Sequence, residues 1–254
     1  MLADRMAGGT APLSERCKEI ILGSLLGDGS LRIHEPYRNA RFAFRHSAIQ
    51  KEYFSWKARE LAEIAGDQSV WQQGSKKKPD GWGETKLRFQ SRALPALTEI
   101  FRLVHKHGKP RIRRKWLNVL TPLSLAVWWM DDGSLVADSR QGVFCTDGFS
   151  LEEVRILDRY MKKVRGIRTT IGQVGKTNRY RLWIRSTGAL QKFLRLILPH
   201  ISVASMLPKV LLLYRDPRLQ QRWISEVVQR SHFHRAVVEK HLRDKKKRWK
   251  HFRE

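Results

Sequence analysis

The sequence predicts an α+β fold in which one αββαββα unit occurs twice, followed by a basic helical C-terminal extension. Three observations carry this. The run ILGSLLGDGSL at residues 21–31 recurs as LAVWWMDDGSL at 125–135, so an apolar, helix-like stretch twice ends in Asp-Gly-Ser-Leu. Asp28 and Asp132 are 132 minus 28, or 104, residues apart, the size of one small domain. After each copy the apolar pattern switches between a period of 2 and a helical period in the same order.

The units read as follows. Residues 1–13 are small, polar and Pro-containing, a flexible leader. Ser14 caps a first helix running toward Gly27. Leu31 and Ile33 then alternate with Arg32 and His34, and Phe42, Phe44 and His46 with Arg41, Ala43 and Arg45, which predicts two paired strands. Residues 48–65 are helical, with Tyr53, Trp56, Leu61 and Ile64 apolar; strands at 69–73 and 85–90 flank the loop GSKKKPDGWG, and a helix at 94–104 closes a unit assigned to 14–120. The second unit, 121–210, repeats the order: the motif helix, strands at 134–137 and 142–146, and a helix at 151–164 opened by Ser150 with Glu153 as its capping box. Strands at 169–174 and 179–185 and a helix at 188–198 complete it. Residues 211–254 form the basic, helix-prone tail.

Composition narrows the partners. The 254 residues carry a formal charge of +26, from 50 Lys and Arg against 24 Asp and Glu, a field suited to a polyanion, with nucleic acid foremost. A hydrophobic share of 41% with nine Trp argues for packed cores rather than a disordered basic chain. Cys17 and Cys145 are isolated, so neither a disulfide framework nor a zinc finger is indicated, and a reducing compartment fits. No apolar run is long enough to span a bilayer, and the start lacks a signal-peptide pattern. The expectation is a soluble intracellular protein with no membrane partner, in cytoplasm or nucleoid, or in an organelle matrix if the source is eukaryotic.

The strands offer long donors on one face. In KLRFQ, Lys86, Arg88 and Gln90 oppose Leu87 and Phe89; in YRLWIR, Arg181 and Arg185 oppose Tyr180, Leu182 and Ile184. Alternation alone also describes an ordinary solvated sheet. The excess of basic residues over acids favours a DNA-reading surface of Arg32, His34, Arg41, Arg45, Lys86, Arg88, Gln90, Arg181 and Arg185, because Arg and Lys pair with guanine edges and Gln with adenine. Lys76, Lys77 and Lys78 at a loop tip suit phosphate contact, with a solvated loop as the alternative. The tail DKKKRWK reads as a phosphate-binding extension, a solvated end or a nuclear signal.

A lone Asp-Gly is usually a turn. Two copies at matched helix ends are different, because a carboxylate there opposes the macrodipole and a divalent cation between the pair would remove the penalty. Gly29 and Gly133 are expected to supply C-cap freedom. Gly23 and Gly27 either admit a second helix at close range or fill a tight core. Trp128 and Trp129, inside the apolar run, belong to the core.

On ILGSLLGDG and LAVWWMDDG, the second preceded by Leu120, Thr121, Pro122 and Leu123, the chain resembles the LAGLIDADG homing endonucleases in their single-chain, two-motif form. The second motif is similar to the branch that contains a yeast mitochondrial intron-encoded endonuclease. The resemblance implies that the motif helices form the domain interface, with Gly23, Gly27, Ala126 and Val127 in it, and that two sheets make a saddle over DNA. It implies that Asp28 and Asp132 bind divalent metal, Mg²⁺ or Mn²⁺, and that Lys109 and Lys209 are catalytic. The lysine offsets agree, 109 minus 28 being 81 and 209 minus 132 being 77, with Lys106, Arg111 and Lys115 as rivals in the first unit. Leu26 and Met130 stand at the motif's first acidic position, and Val127 and Asp131 replace small residues, with Asp131 not a primary ligand.

The implied function is a monomeric, intron-encoded, site-specific double-strand DNA endonuclease with a long target, leaving 3′ overhangs. A non-cleaving nucleic-acid binder on the same scaffold, an intron RNA maturase or a DNA-binding regulator, is the alternative, and intron RNA is then a partner. A protein-splicing element is not expected, since a Cys or Ser start and a terminal His-Asn pair are lacking.

Overall fold

The structure is a computed structural model that describes residues 12–74, 85–136 and 139–248. Most of the predicted leader and the Lys76, Lys77 and Lys78 tip lie outside the described residues. The first half contains α1 (Glu15–Ser24), β1 (Gly29–Arg32), β2 (Arg41–Ser47), α2 (Lys51–Glu60), β3 (Val70–Gly74), β4 (Thr85–Gln90) and α3 (Pro95–Val104). A short hairpin, β5 (His105–Lys106) with β6 (Lys109–Pro110), and α4 (Arg114–Asn118) lead into the second half. That half contains α5 (Pro122–Asp132), β7 (Gly133–Val136), β8 (Gln141–Phe144), α6 (Leu151–Lys163), β9 (Thr170–Gln173), β10 (Tyr180–Ile184) and α7 (Thr187–Ile197). Two further helices, α8 (Pro217–Arg230) and α9 (Arg235–Arg248), follow.

The α+β reading holds, and the repeat is visible in the sheets. One four-stranded sheet has the order β1-β2-β4-β3 and the other β7-β8-β10-β9, all pairs antiparallel. Even the register repeats, with Gly29 opposite Phe44 and Gly133 opposite Phe144. Caps explain the helix starts: the Ser14 side chain accepts from the Cys17 N–H, and that of Thr121 from Ser124. Ser150 and Glu153 form the full capping box.

The motif helices α1 and α5 run side by side through the core. A Cβ on Gly23 would fall 2.3 Å from the Ser124 carbonyl oxygen, and one on Gly27 would fall 2.6 Å from the Asp131 Cβ, so both glycines admit the opposite helix. Ser124 Oγ donates to the Glu19 carbonyl at 2.9 Å, and Ala126 and Val127 are fully buried. Each sheet covers its side with aromatics, Phe44 against Phe54 and Phe89, and Phe144 against Trp128, Trp129 and Phe193.

Two expectations are corrected here. The helix of the first motif ends at Ser24, and residues 25–28 form turns. Gly29 and Gly133 are not left-handed caps: Gly133 has φ −79°, and neither is among the positive-φ residues. They are required by close approach, since a Cβ at Gly29 would meet the Ser24 carbonyl oxygen at 2.7 Å and one at Gly133 the Trp129 ring at 2.2 Å.

Beyond α7 the chain runs through a 3-10 turn (Ala204–Lys209) into buried, irregular backbone at Val210, Leu211, Leu212 and Leu213. Buried carbonyls without a ladder need side-chain donors. Trp129 Nε1 donates to Lys209 O at 2.9 Å, Trp223 Nε1 to Val210 O at 3.2 Å and Gln220 Nε2 to Leu212 O at 3.2 Å. Lys245 Nζ reaches in from α9 to Pro208 O and Leu211 O, each at 2.6 Å. Among the described residues, no helix is long and apolar enough to cross a membrane.

Candidate active site

Because α1 and α5 lie in contact, the residues at their ends converge. Asp28 follows α1 and Asp132 ends α5, and the negative charge of Asp28 is felt by the Asp132 carboxyl. Burial, then the charges of Asp28 and Asp131, push the Asp132 carboxyl up to about 7, with Lys209 and Lys57 offsetting part of the rise. Partial desolvation works against ionisation of Asp28, although its side chain stays 38% exposed. Contact with His46 and the positive charges of Lys57 and Lys209 outweigh this and hold its carboxyl below the usual range.

Lys209 arrives from the buried segment after α7. Its Nζ donates to the Met130 and Asp131 carbonyls at 2.5 and 3.2 Å, capping α5 with a cation where the helix dipole is negative. Burial lowers its pKa, opposed by the charges of Asp131, Asp132 and Asp28. The Lys209 ammonium is thus held beside both motif carboxylates by the backbone of the second motif.

Three residues that sequence reasoning did not assign to the site complete it. Lys57, on α2, is fully buried, and its Nζ lies 2.6 Å from Asp131 Oδ1. Tyr53 OH donates to the same oxygen at 2.7 Å, and the Asp28 N–H donates to Asp131 Oδ2 at 3.4 Å. His46 Nδ1 is 3.4 Å from Asp28 Oδ2, and its buried Nε2 has no hydrogen-bond partner among the described residues, lying 4.0 Å from Asp131 Oδ1. A lysine in the helical pattern of 51–60, where the neighbouring turn is apolar, was the available signal for Lys57.

Lys109 is placed differently from Lys209. It sits exposed in the β5–β6 hairpin opposite Lys106, while the buried lysine whose charge bears on Asp28 from the first half is Lys57. The hairpin is not remote: Gly108 and Pro110 line a groove of about 800 Å³ together with Asp132, Cys145, Arg32 and His34.

The basic strand residues share faces as their alternation predicts. Phe42, Phe44, His46 and Phe89 are buried, which leaves Arg41 and Arg45 with Lys86, Arg88 and Gln90 on the opposite side. Cross-strand pairing sets Arg32 against Arg41, Arg45 against Arg88, and Ala43 against Gln90. The guanidinium of Arg41 stacks on Tyr37 at 3.9 Å, and the Nε atoms of Arg41 and Arg88 have no hydrogen-bond partner among the described residues. Trp71 joins this face opposite Arg88. The second sheet is less free: Arg181 is held by Asp147 through three side-chain hydrogen bonds, and the residue that shares its face along β10 is Trp183, over which Arg185 packs at 4.6 Å.

Comparison with known proteins agrees with this architecture. Residues 18–193 match the LAGLIDADG DNA endonuclease family. The chain belongs to that family. Protein RecA of Mycobacterium gastri is 33% identical over 205 residues, covering 75% of this chain and 46% of that protein. The chain thus spans about half the length of the first curated relatives it matches. DNA endonuclease I-ChuI of Chlamydomonas applanata is 26% identical over 203 residues, 72% of this chain and 90% of that one. Cytochrome b mRNA maturase bI2 of Debaryomyces hansenii is 24% identical over 176 residues, 69% and 66% of the two chains. In fold, homing endonuclease I-WcaI, solved bound to its DNA recognition sequence, superposes with a TM-score of 0.69 at 23% identity, over 80% of this chain and 89% of that one.

The donor set suits a hard divalent cation. Aspartate oxygens are the ligands Mg²⁺ prefers, and a carboxyl raised to about 7 by burial and by neighbouring acids is one that a cation would relieve. Asp28, His46 and Asp131 also place donor atoms within 4.8 Å of one another. Asp131 is the least available of these, since Lys57 and Tyr53 already satisfy its Oδ1.

Proposed function

We propose that this protein is a site-specific, metal-dependent double-strand DNA homing endonuclease, intron-encoded and acting as a monomer, that leaves 3′ overhangs. The observation that carries the reading is the pairing of Asp28, in the turn after α1, with Asp132, at the end of the contacting helix α5, with Lys209 donating into the end of α5. Phosphodiester hydrolysis requires neutralisation of charge on phosphate while water attacks in line. Mg²⁺ or Mn²⁺ held by Asp28 and Asp132 would supply that neutralisation and activate the water.

The protein's own groups do the rest. Arg32, His34, Arg41, Arg45, Lys86, Arg88 and Gln90 bind and orient the duplex, with base edges read by Arg and Gln and the phosphates held by the surplus charge. Lys209 stands as a cation beside developing negative charge, and its lowered pKa eases proton exchange with water. Lys109, on the hairpin at the groove, contacts DNA rather than the carboxylate pair.

Cleavage of DNA carrying the uninterrupted host junction tests this, with Mg²⁺ or EDTA and with Asp28→Asn and Asp132→Asn. Metal-dependent double-strand cutting by the wild type, reduced to nicking or nothing in each variant with binding retained, is the expected result. The maturase-like relative favours one second reading, a non-cleaving intron RNA maturase. Tight binding with no cutting under any divalent metal would select it.

A further inference from the structure

The two motif aspartates occupy equivalent places in the repeat, yet their surroundings differ. The matched registers, Gly29 with Phe44 and Gly133 with Phe144, put His46 and Thr146 at corresponding positions, two residues beyond each Phe. His46 contacts the Asp28 carboxylate at 3.4 Å. Thr146 is committed elsewhere, its Oγ1 donating to Tyr180 O at 2.6 Å. Aligning Phe44 with Phe144 also pairs Lys57 with Leu157, both buried, and the motifs pair Asp131 with Gly27. The polar group of His46, Lys57 and Asp131 therefore has Thr146, Leu157 and Gly27 as its counterpart.

The consequence falls on one carboxylate. Asp28 is held twice, its backbone N–H by Asp131 Oδ2 and its side chain by His46. Among the described residues, no side-chain donor bonds to the Asp132 carboxylate. A reacting group already fixed in place loses less freedom on reaching the transition state than one that is not.

We propose that His46 is a positioning residue for Asp28 alone, so that the two half-sites are unequal and the strand served by Asp28 is cut first. This rests on the endonuclease reading. His46 acts through its contact with the carboxylate and takes no part in the bond changes.

The test follows each strand separately on an end-labelled duplex, the Asp28 strand being the one that Asp28→Asn protects. The wild type should cut that strand first and accumulate a nicked intermediate. His46→Ala should slow it about tenfold while the other strand's rate changes less than twofold, and His46→Gln, which keeps a donor, should restore part of the loss. Loss of folding would slow both strands, so a strand-selective effect separates positioning from general damage. In the metal-free protein, the His46 ring ¹⁵N resonances should shift on Asp28→Asn and stay in place on Asp132→Asn. Equal slowing of both strands by His46→Ala, no slowing, or a wild type that cuts the Asp132 strand first would overturn the inference with the endonuclease reading intact. A wild type that cuts neither strand would defeat that reading, and with it the strand order, while the resonance measurement would still decide whether His46 holds Asp28.

Discussion

Lys57 and Asp131 form a fully buried ion pair, Nζ to Oδ1 at 2.6 Å, that joins α2 of the first half to the end of α5 in the second. Asp131 stands where the motif of the first half has Gly27, and the two positions face each other across the helix pair. A glycine there would leave room. An aspartate instead projects across the interface, and a buried carboxylate must find a partner. Lys57, Tyr53 and the Asp28 N–H supply three donors.

Removing one member of a buried pair leaves the other charge uncompensated, at a cost of about 3–5 kcal/mol. Lys57→Met is expected to lose stability on that scale in urea unfolding. The double variant Lys57→Leu with Asp131→Gly installs the residues of the corresponding positions, Leu157 and Gly27, and should recover most of the loss. A double variant no more stable than Lys57→Met would show that the pair is not what the single substitution breaks.

Stability should fall as pH rises across the Asp132 titration. Its carboxyl moves from an ordinary value of 3.8 to about 7 on folding, so between those values the native state holds a proton that the unfolded chain has released. The unfolded state then binds fewer protons, and the slope of stability against pH is negative. Asp28 has the opposite sign, but its lowered pKa confines its effect to pH below about 3.8. Thermal melts of the metal-free protein from pH 5 to 7 should decline, the decline should flatten in Asp132→Asn, and Mg²⁺ at pH 7 should recover part of it.

The helix contact makes a third prediction. A Cβ on Gly23 would overlap backbone of α5 at 2.3 Å, which cannot yield as a flexible side chain does. Gly23→Ala therefore has to push α1 and α5 apart despite the better helix propensity of Ala. Overpacking of this kind costs about 1–3 kcal/mol. Asp28 and Asp132 would separate with the helices, so cleavage should fall further than the midpoint of unfolding suggests. Full activity in Gly23→Ala would mean that the carboxylates do not depend on this contact.

The repeat was legible because period and caps are local properties. Ser14, Thr121 and the Ser150–Glu153 box sit where the helices begin, and the alternation in 41–47 and 85–90 gave the strands and their basic face. Asp28, Asp132 and Lys209 were found together, as the resemblance implied. His46, Tyr53 and Lys57 were not, because each lies in an ordinary strand or helix pattern and gains its meaning from Asp131, which comes from the other half of the chain. The β5–β6 hairpin and α4 are too short to show a period. Gly29 and Gly133 read as caps because their true constraint, the Ser24 carbonyl and the Trp129 ring, depends on packing.

Lys245 separates two roles for the C-terminal helices. A tail that binds phosphate would turn its lysines outward, yet Lys245 turns inward, and burial lowers its pKa to about 7. Between that value and the ordinary 10.5 the unfolded chain is protonated while the native amine is neutral, so stability should rise with pH through this window. A neutral amine still has two N–H donors, which matches its two acceptors, the carbonyls of Pro208 and Leu211. Lys245→Met should abolish the alkaline rise and leave both carbonyls unpaired, at about 1–3 kcal/mol each. Those carbonyls flank Lys209, so the cleavage rate should drop while DNA affinity holds. The decisive measurement is the salt dependence of DNA binding. A lost phosphate contact would make log K fall less steeply with log salt, by about 0.9 in slope; an unchanged slope with slower cutting would place Lys245 beneath Lys209 as a support for the site.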